Sequence, residues 1–275
     1  MLKENKIKIT NNIVEASLLK SKNSNIKNFL VKELKKKNFL IIKSNDGQNT
    51  KKNMFKVSKC LGNLVAQNNK GIKILQIKAS KNINKFNDNQ KKKILRYHQT
   101  NLGGSIHSDG PQLDNPPKYV AMACLNQAKK GGGSVLVDTR LIFNYLKKKN
   151  KKVFKILTKK FPFEKRGFLT KNKKKNILLK PIFTKSKNVI TFRYLREYIE
   201  AGYSFSKKQY SSEIKNSFNI LDRLLEKKKF TKMFKLKKGE ILILNNKYMA
   251  HGRTKFYLNK SRAEDARVLA RTWIN

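Results

Sequence analysis

Two histidines and one aspartate are the residues of this chain best suited to hold a metal ion. The 275 residues include only three histidines. His107 and Asp109 lie two positions apart, and His251 lies far downstream. Two neutral imidazoles and one carboxylate are the ligand set that binds ferrous iron and leaves other coordination positions open, with Mn(II) and Zn(II) as competitors. The sequence therefore predicts a metal centre built by these three side chains.

The spacing of these residues is compatible with one shared ion. Residues i and i+2 of a strand point to the same face, so His107 and Asp109 can face one ion from a strand or its end. His251 follows the strand-turn segment EILILNNKYMA at 240–250. A bare H-x-D with a distant histidine is a weak motif, because single histidines are commonly satisfied polar groups. We interpret His98, which has no comparable neighbours, as a structural residue or an outer neighbour of the site.

The chain carries a large positive charge. Lys and Arg total 65 against 17 Asp and Glu, a formal net charge of +48. Only ten of the basic residues are Arg, the type that phosphate and base recognition favours, and the Lys residues are spread over the whole length. We interpret them as a solvated surface, with a functional basic face as the alternative. Without a helix-turn-helix, zinc-finger or aromatic RNA-binding motif, no specific nucleic-acid partner is predicted.

The cysteines and the apolar segments of the chain indicate the cellular compartment in which we expect the protein. Cys60 and Cys124 show no pairing pattern or metal spacing, so we expect buried thiols in a reducing compartment. The N-terminal segment lacks the apolar core of a signal peptide, and no apolar run approaches the length of a membrane span. We predict a cytoplasmic protein without a membrane partner, and a homo-oligomer stays open. No Pro-, Gly- or Ser-rich linker divides the chain, so we predict one domain over 1–275, with an irregular segment at 1–24.

Hydrophobic periodicity predicts the elements that must position the candidate ligands. Apolar residues at helical spacing predict helices over 26–37, 54–64, 141–149, 153–159 and 210–225. Apolar runs and alternating patterns predict strands over 38–43, 72–78, 118–126, 134–138, 177–183, 188–194, 230–236, 240–244 and 267–274. The glycine-rich turn at 129–133 predicts a hairpin between two of them. Strands clustered around a few helices, without βαβ alternation, predict an α+β fold with a mainly β, double-sheet core.

Several motifs occur in an order that is typical of one family. They are NFLIIKS at 38–44, Leu61-Gly62, Thr100-Asn101 before HSDGPQL at 107–113, GGGS at 131–134, LNN at 244–246, HGRT at 251–254 and R-x-x-x-R at 267–271. Together they span roughly residues 25 to 275 and resemble the taurine dioxygenase and clavaminate synthase type of Fe(II)/2-oxoglutarate-dependent oxygenase. The resemblance implies a double-stranded β-helix, or jelly roll, with flanking helices.

The resemblance also implies roles for the motif residues. His107, Asp109 and His251 would ligate Fe(II). Ser134 matches the position whose hydroxyl binds the far carboxylate of 2-oxoglutarate, although a plain turn residue is the alternative. Arg267 would pair with that same carboxylate, because two parallel N–H groups of a guanidinium match two carboxylate oxygens.

Arg271 is open to more than one interpretation. On a strand it shares a face with Arg267, so it adds to the cosubstrate contact or reaches an acidic group of the substrate. A surface arginine on an edge strand is the alternative. Tyr194, Arg193 and Arg196 can line a pocket, but a surface face is the preferred interpretation for them.

The implied reaction consumes 2-oxoglutarate and O2, releases succinate and CO2, and hydroxylates or desaturates a small organic substrate. An amino-acid derivative, a betaine, a sulfonate or a carboxylate is the expected substrate class. Two other functions stay open: a metal-dependent enzyme that does not use 2-oxoglutarate, and a basic nucleic-acid-associated protein. The first would keep the three ligands but would have no use for a buried Arg267.

Overall fold

The computed structural model describes residues 9–44, 49–79, 100–172, 176–187, 189–207, 209–257 and 266–275. His98 lies outside these residues, as does the first part of the expected N-terminal segment. The strands are β1 Ile9–Thr10, β2 Ile13–Val14, β3 Phe39–Lys43, β4 Leu64–Val65, β5 Ile74–Lys78, β6 Gly104–His107, β7 Tyr119–Asn126, β8 Ser134–Asp138, β9 Lys160–Glu164, β10 Ile177–Pro181, β11 Phe183–Ser186, β12 Val189–Phe192, β13 Thr231–Phe234, β14 Glu240–Asn245, β15 Met249–Arg253 and β16 Val268–Ile274. The α-helices are α1 Asn23–Lys37, α2 Thr50–Leu61, α3 Thr139–Lys149, α4 Lys151–Leu157, α5 Arg196–Ser206 and α6 Ser212–Glu226.

A large sheet of eight strands forms one wall of the core. Its order is β1-β2-β3-β14-β7-β16-β4, and β5 also pairs with β16. Its pairs are antiparallel apart from the parallel pair of β2 and β3. The central strands are apolar on both faces, as expected for strands covered on both sides.

A smaller sheet of four strands, in the order β13-β8-β15-β6, lies opposite the large one. Alternate residues of the large sheet, such as Met122 and Leu242, pack in one core cluster with Leu136 and Met249 of the small sheet. Two sheets packed face to face around one apolar layer form the predicted jelly roll. The predicted fold class is confirmed.

Helices cover the outer faces of both sheets. The apolar stripe of α1, with Ile26, Leu30 and Leu34, packs with α2 and with outward-facing residues of the large sheet such as Ala121 and Ile243. The helices α3 to α6 pack with outward-facing residues of the small sheet in a second cluster. The layers are therefore helix, sheet, sheet and helix, and the site lies between the two sheets.

One predicted connection is wrong. β7 and β8 do not form a hairpin, because β7 lies in the large sheet and β8 in the small one. The glycine-rich segment between them crosses from sheet to sheet. Gly131 packs against the backbone of Lys255 and Phe256, where a Cβ atom would lie 2.1 Å from the Lys255 carbonyl oxygen. The helix α5 is a further element that the periodicity of the sequence does not predict.

Cys60 and Cys124 are buried free thiols, as expected. Across the described ranges, none of the helices combines the length and apolar character that a bilayer crossing requires.

Candidate active site

Two neighbouring strands of the small sheet carry the candidate histidines. His107 ends β6 and lies directly opposite His251 of β15, and their ring centroids are 4.6 Å apart. The register shifts beyond this pair, where Arg253 lies opposite Gly104. Ser105 inside the shift has φ +46°, an uncommon conformation for a residue with a side chain. The carbonyl oxygen of Ser105 accepts a hydrogen bond of 2.7 Å from Nδ1 of His107, which leaves Nε2 as the ligand atom.

The third candidate ligand lies just beyond the end of β6. Asp109 is held through its backbone by Asn246, which follows β14. The side-chain oxygen of Asn246 accepts from the Asp109 amide at 2.9 Å, and its nitrogen donates to the Asp109 carbonyl at 3.0 Å and to the Pro117 carbonyl at 2.9 Å. Because Asp109 lies beyond the last residue of β6, these hydrogen bonds from Asn246 fix its backbone and so position its carboxylate.

The three candidate ligands converge, as the sequence predicts. One ligand atom from each of His107, Asp109 and His251 lies within 4.8 Å of the others, and all three residues are buried. Nε2 of His251 lies 3.6 Å from Oδ2 of Asp109, and Nε2 of His107 lies 4.0 Å from Oδ1. Among the described residues, Oδ2 of Asp109 has no hydrogen-bond partner. Two imidazoles and a buried carboxylate with an unpaired oxygen fit a divalent ion such as Fe(II).

The electrostatics of the site favour metal binding over protonation. Burial lowers the pKa of His251 to about 3, with further lowering by His107 and Arg271, while Asp109 opposes the shift. Burial by itself raises the pKa of Asp109, but Arg271 and the two histidines outweigh it and hold this pKa below its usual value. A metal ligand must be deprotonated, so a neutral imidazole and an ionised carboxylate are ready to bind at neutral pH.

Arg271 lies beside the candidate ligands and is buried. Its Nη1 donates to Oδ1 of Asp109 at 2.6 Å, and its Nε donates to Oε1 of Gln67 at 2.8 Å. The guanidinium carbon lies 5.1 Å from the centroid of the Trp273 ring, a cation–π contact. The alternative of a surface arginine on an edge strand is therefore wrong, because β16 pairs on both sides and Arg271 faces the interior.

A cavity of about 470 Å³ opens at the candidate metal ligands. Arg267 and Arg271 both line it. The Arg267 side chain is buried, donates from Nε to the Gly132 carbonyl at 3.2 Å, and lies 5.9 Å from the Phe256 ring centroid. A pocket with a metal site and several buried guanidinium groups suits a small anionic ligand.

The model of the family described as taurine catabolism dioxygenase TauD, TfdA family, matches residues 31–273 of this chain. The chain belongs to the TauD/TfdA family. The resemblance predicted from the motifs is confirmed, and so is the dioxygenase class of enzyme. Family membership carries with it the iron and 2-oxoglutarate that the sequence analysis predicts. A search of curated protein sequences finds no significant match.

Solved structures share the fold of this TauD/TfdA protein at low sequence identity. An asparagine oxygenase in complex with Fe(II), 2S,3S-3-hydroxyasparagine and succinate superposes with a TM-score of 0.68 at 12% identity, covering 96% of this chain and 93% of its own. The non-heme iron oxygenase OrfP with Fe, succinate and (3S)-hydroxy-L-Arg has a TM-score of 0.64 at 11% identity, covering 94% and 85%. OrfP with Fe and α-ketoglutaric acid has a TM-score of 0.62 at 12% identity, covering 91% and 79%.

The remaining predicted residues of the TauD/TfdA site are placed as follows. Ser134 begins β8 and is buried opposite Arg253, but it is not among the described residues that line the cavity. Tyr194 and Arg196 do line the cavity, and the Tyr194 side chain is buried. Arg193 instead donates to the carbonyls of residues 111, 113 and 114, in the loop after Asp109. The surface interpretation is therefore wrong for Tyr194.

Sequence reasoning missed two residues of the site. Asn246 belongs to the quoted LNN motif, which was a signal for it, but no role followed from the motif alone. Gln67 carries no local signal, since it contacts Arg271 across a separation of 204 residues.

Proposed function

We propose that this protein is an Fe(II)- and 2-oxoglutarate-dependent dioxygenase that hydroxylates or desaturates a small organic substrate. One observation carries the proposal: the three candidate ligands His107, Asp109 and His251 and the buried Arg267 lie on the wall of the same cavity. A metal centre needs only the three ligands. A guanidinium in the same cavity is explained by a cosubstrate with a distant carboxylate.

The positions of the side chains support the proposed roles of the three metal ligands and of Arg267, and the family motif supports that of Ser134. His107, Asp109 and His251 would hold Fe(II), which supplies the activation of O2 and the decarboxylation of the cosubstrate when it is bound. Arg267 binds the far carboxylate of 2-oxoglutarate. The GGGS motif supports a second contact from the Ser134 hydroxyl to the same group, although Ser134 is not among the described residues that line the cavity. Arg271 is assigned to the cosubstrate or to an acidic group of the substrate, because it lines the cavity beside Asp109.

The cavity bounds the substrate class. A volume of about 470 Å³ lies within the range of small-molecule sites, and apolar side chains such as Leu75, Ile77 and Met122 share its wall with the polar ones. We propose a substrate among amino-acid derivatives, betaines, sulfonates and small carboxylates. The amino-acid products bound to asparagine oxygenase and OrfP support the first of these classes. The free thiols support a reducing, cytoplasmic location.

The proposal is tested by succinate formation from 2-oxoglutarate with Fe(II), ascorbate and air, over a panel of these substrate classes. His107→Ala and Asp109→Ala are expected to abolish succinate formation with the fold intact by circular dichroism. Arg267→Ala is expected to raise the KM for 2-oxoglutarate by at least about tenfold, because a hydrogen bond to a charged group contributes about 1.5–3 kcal/mol.

Arg140→Ala is the matched control for the loss of a guanidinium. Arg140 pairs with Asp138 and lies outside the cavity wall formed by the described residues, so its loss should leave turnover unchanged. Full activity of His107→Ala under iron-replete conditions would refute the ligand assignment. Equal KM values for Arg267→Ala and Arg140→Ala would refute the cosubstrate assignment.

A further inference from the structure

A buried chain of hydrogen bonds connects Gln67, Arg271 and Asp109. Oε1 of Gln67 accepts from Nε of Arg271 at 2.8 Å, and Nη1 of Arg271 donates to Oδ1 of Asp109 at 2.6 Å. The three residues are 4%, 8% and 3% exposed, so water does not compete strongly for these bonds. These hydrogen bonds connect three separate parts of the fold: Gln67 in the turn after β4, Arg271 at the centre of β16, and Asp109 two positions after the end of β6.

The orientation of the Gln67 amide is determined by its neighbours. Its nitrogen donates to the carbonyl of Arg271 at 2.9 Å and to the carbonyl of Lys73 at 3.2 Å. A carbonyl only accepts, so the nitrogen must face both carbonyls and the oxygen must face Nε of Arg271. The Gln67 amide therefore fixes the orientation of the guanidinium through Nε, and the guanidinium binds Asp109 through Nη1.

We propose that Gln67 is a positioning residue for the metal ligand Asp109 and acts through Arg271. Arg271 donates to Oδ1, whereas Oδ2 has no hydrogen-bond partner among the described residues, so Asp109 would offer Oδ2 to the metal in preference to Oδ1. A carboxylate that bound through both oxygens would occupy a position that the cosubstrate or O2 needs. The inference rests on the metal site proposed above.

Arginine is suited to this task in a way that lysine is not. A guanidinium has donors fixed in one plane, and here two of them reach two different acceptors. An ammonium carries the same charge on a single rotatable group. Arg271→Lys therefore keeps the charge beside the metal ligands but breaks the rigid connection from Gln67 to Asp109. Gln67→Met removes the neutral acceptor and also leaves the charge unchanged.

The test is a charge-conserving double-mutant cycle on the full-length protein, with Co(II) in place of Fe(II). A Co(II) titration monitored by d–d absorption gives the affinity for Co(II), and the shape of the absorption band reports the coordination geometry. We expect Gln67→Met and Arg271→Lys each to weaken Co(II) binding by about tenfold and to change the band shape. The double variant should bind Co(II) no more weakly than the weaker-binding single variant, because both substitutions break the same connection.

Asn176→Leu is the matched control for the loss of a buried amide. Asn176 is 4% exposed like Gln67, makes three hydrogen bonds to residue 170, and is not among the described residues that line the cavity. Its loss should lower the Tm without changing Co(II) affinity or band shape. A Gln67→Met variant with the affinity and spectrum of the parent would overturn the inference, and so would additive losses in the double variant.

The failure of the inference is distinguishable from the failure of the proposed function. If the parent protein binds Co(II) and Asp109→Ala does not, the metal site stands whatever the behaviour of Gln67→Met. If the parent protein itself binds no Co(II) or Fe(II), the proposed function fails, and the inference fails with it.

Discussion

Three consecutive glycines, Gly131, Gly132 and Gly133, are expected to respond very differently to substitution by alanine. At Gly132, φ is +74°, and an added Cβ atom would lie 3.0 Å from Cδ and 3.3 Å from Nε of Arg267. These contacts, and one of 3.0 Å to Oε1 of Gln127, are tighter than ordinary van der Waals contacts, so the neighbouring side chains must shift by a few tenths of an ångström. A misplacement of about 1 Å can cost on the order of 100-fold, so a shift of Arg267 by a few tenths of an ångström in Gly132→Ala should weaken 2-oxoglutarate binding by about threefold to fivefold.

The two neighbours provide contrasting variants. At Gly131, φ is +77° and a Cβ atom would lie 2.1 Å from the Lys255 carbonyl oxygen, which belongs to the backbone and cannot move cheaply. Left-handed strain of about 1–2 kcal/mol and overpacking of about 1–3 kcal/mol should destabilise Gly131→Ala by about 2–5 kcal/mol. At Gly133 the nearest atoms lie at 3.5 Å, so Gly133→Ala should stay within about 1 kcal/mol of the parent.

The assay is the binding of 2-oxoglutarate by calorimetry in the presence of Mn(II), so that no turnover occurs, together with the Tm of each variant. The Tm of Gly132→Ala should fall by about 2–8 °C because of backbone strain, and its affinity for 2-oxoglutarate should fall as well. Gly131→Ala should lose more stability than Gly132→Ala. If Gly132→Ala and Gly133→Ala bind 2-oxoglutarate equally well, the placement of Arg267 by this segment is refuted.

Two further predictions concern the support of the metal site. His251 is held neutral with a pKa of about 3, whereas in the unfolded chain it takes up a proton near its ordinary pKa of about 6.5. The unfolded state then binds more protons, so the stability of the metal-free protein should fall as the pH drops from about 7 to 5, and His251→Gln should show a shallower fall of Tm over this range. Equal slopes would contradict the neutral state of His251. Arg193→Met should cost about 2 kcal/mol and lower the Tm by about 4–8 °C, because three carbonyls of the loop after Asp109 lose a charged donor. Exposed Arg223→Met is its control in the same melting experiment, and equal Tm values for the two would count against this role.

Local patterns in the sequence predicted most of the secondary structure. The continuous apolar runs of β7 and β14 and the apolar stripe of α6 are local features of the sequence, so the sequence predicts these elements. The connection at 129–133 was predicted wrongly as a hairpin, because a glycine-rich turn signals a change of direction but not the sheet that receives the next strand. Close packing of Gly131 against Lys255 decides that point, and it depends on a segment more than a hundred residues away.

The sequence by itself determined which residue types can bind a metal and a dicarboxylic acid, because coordination and guanidinium chemistry require particular side chains. Side-chain chemistry therefore singled out His107, Asp109 and His251 as candidate ligands, and the R-x-x-x-R motif of the family singled out Arg267 as a candidate cosubstrate contact. The tertiary structure decided the partners of these residues. Asn246 clamps Asp109 across 137 positions, and Arg271 reaches Asp109 across 162. Such contacts arise from the register of strands that meet only after folding, and no local pattern in the chain encodes them.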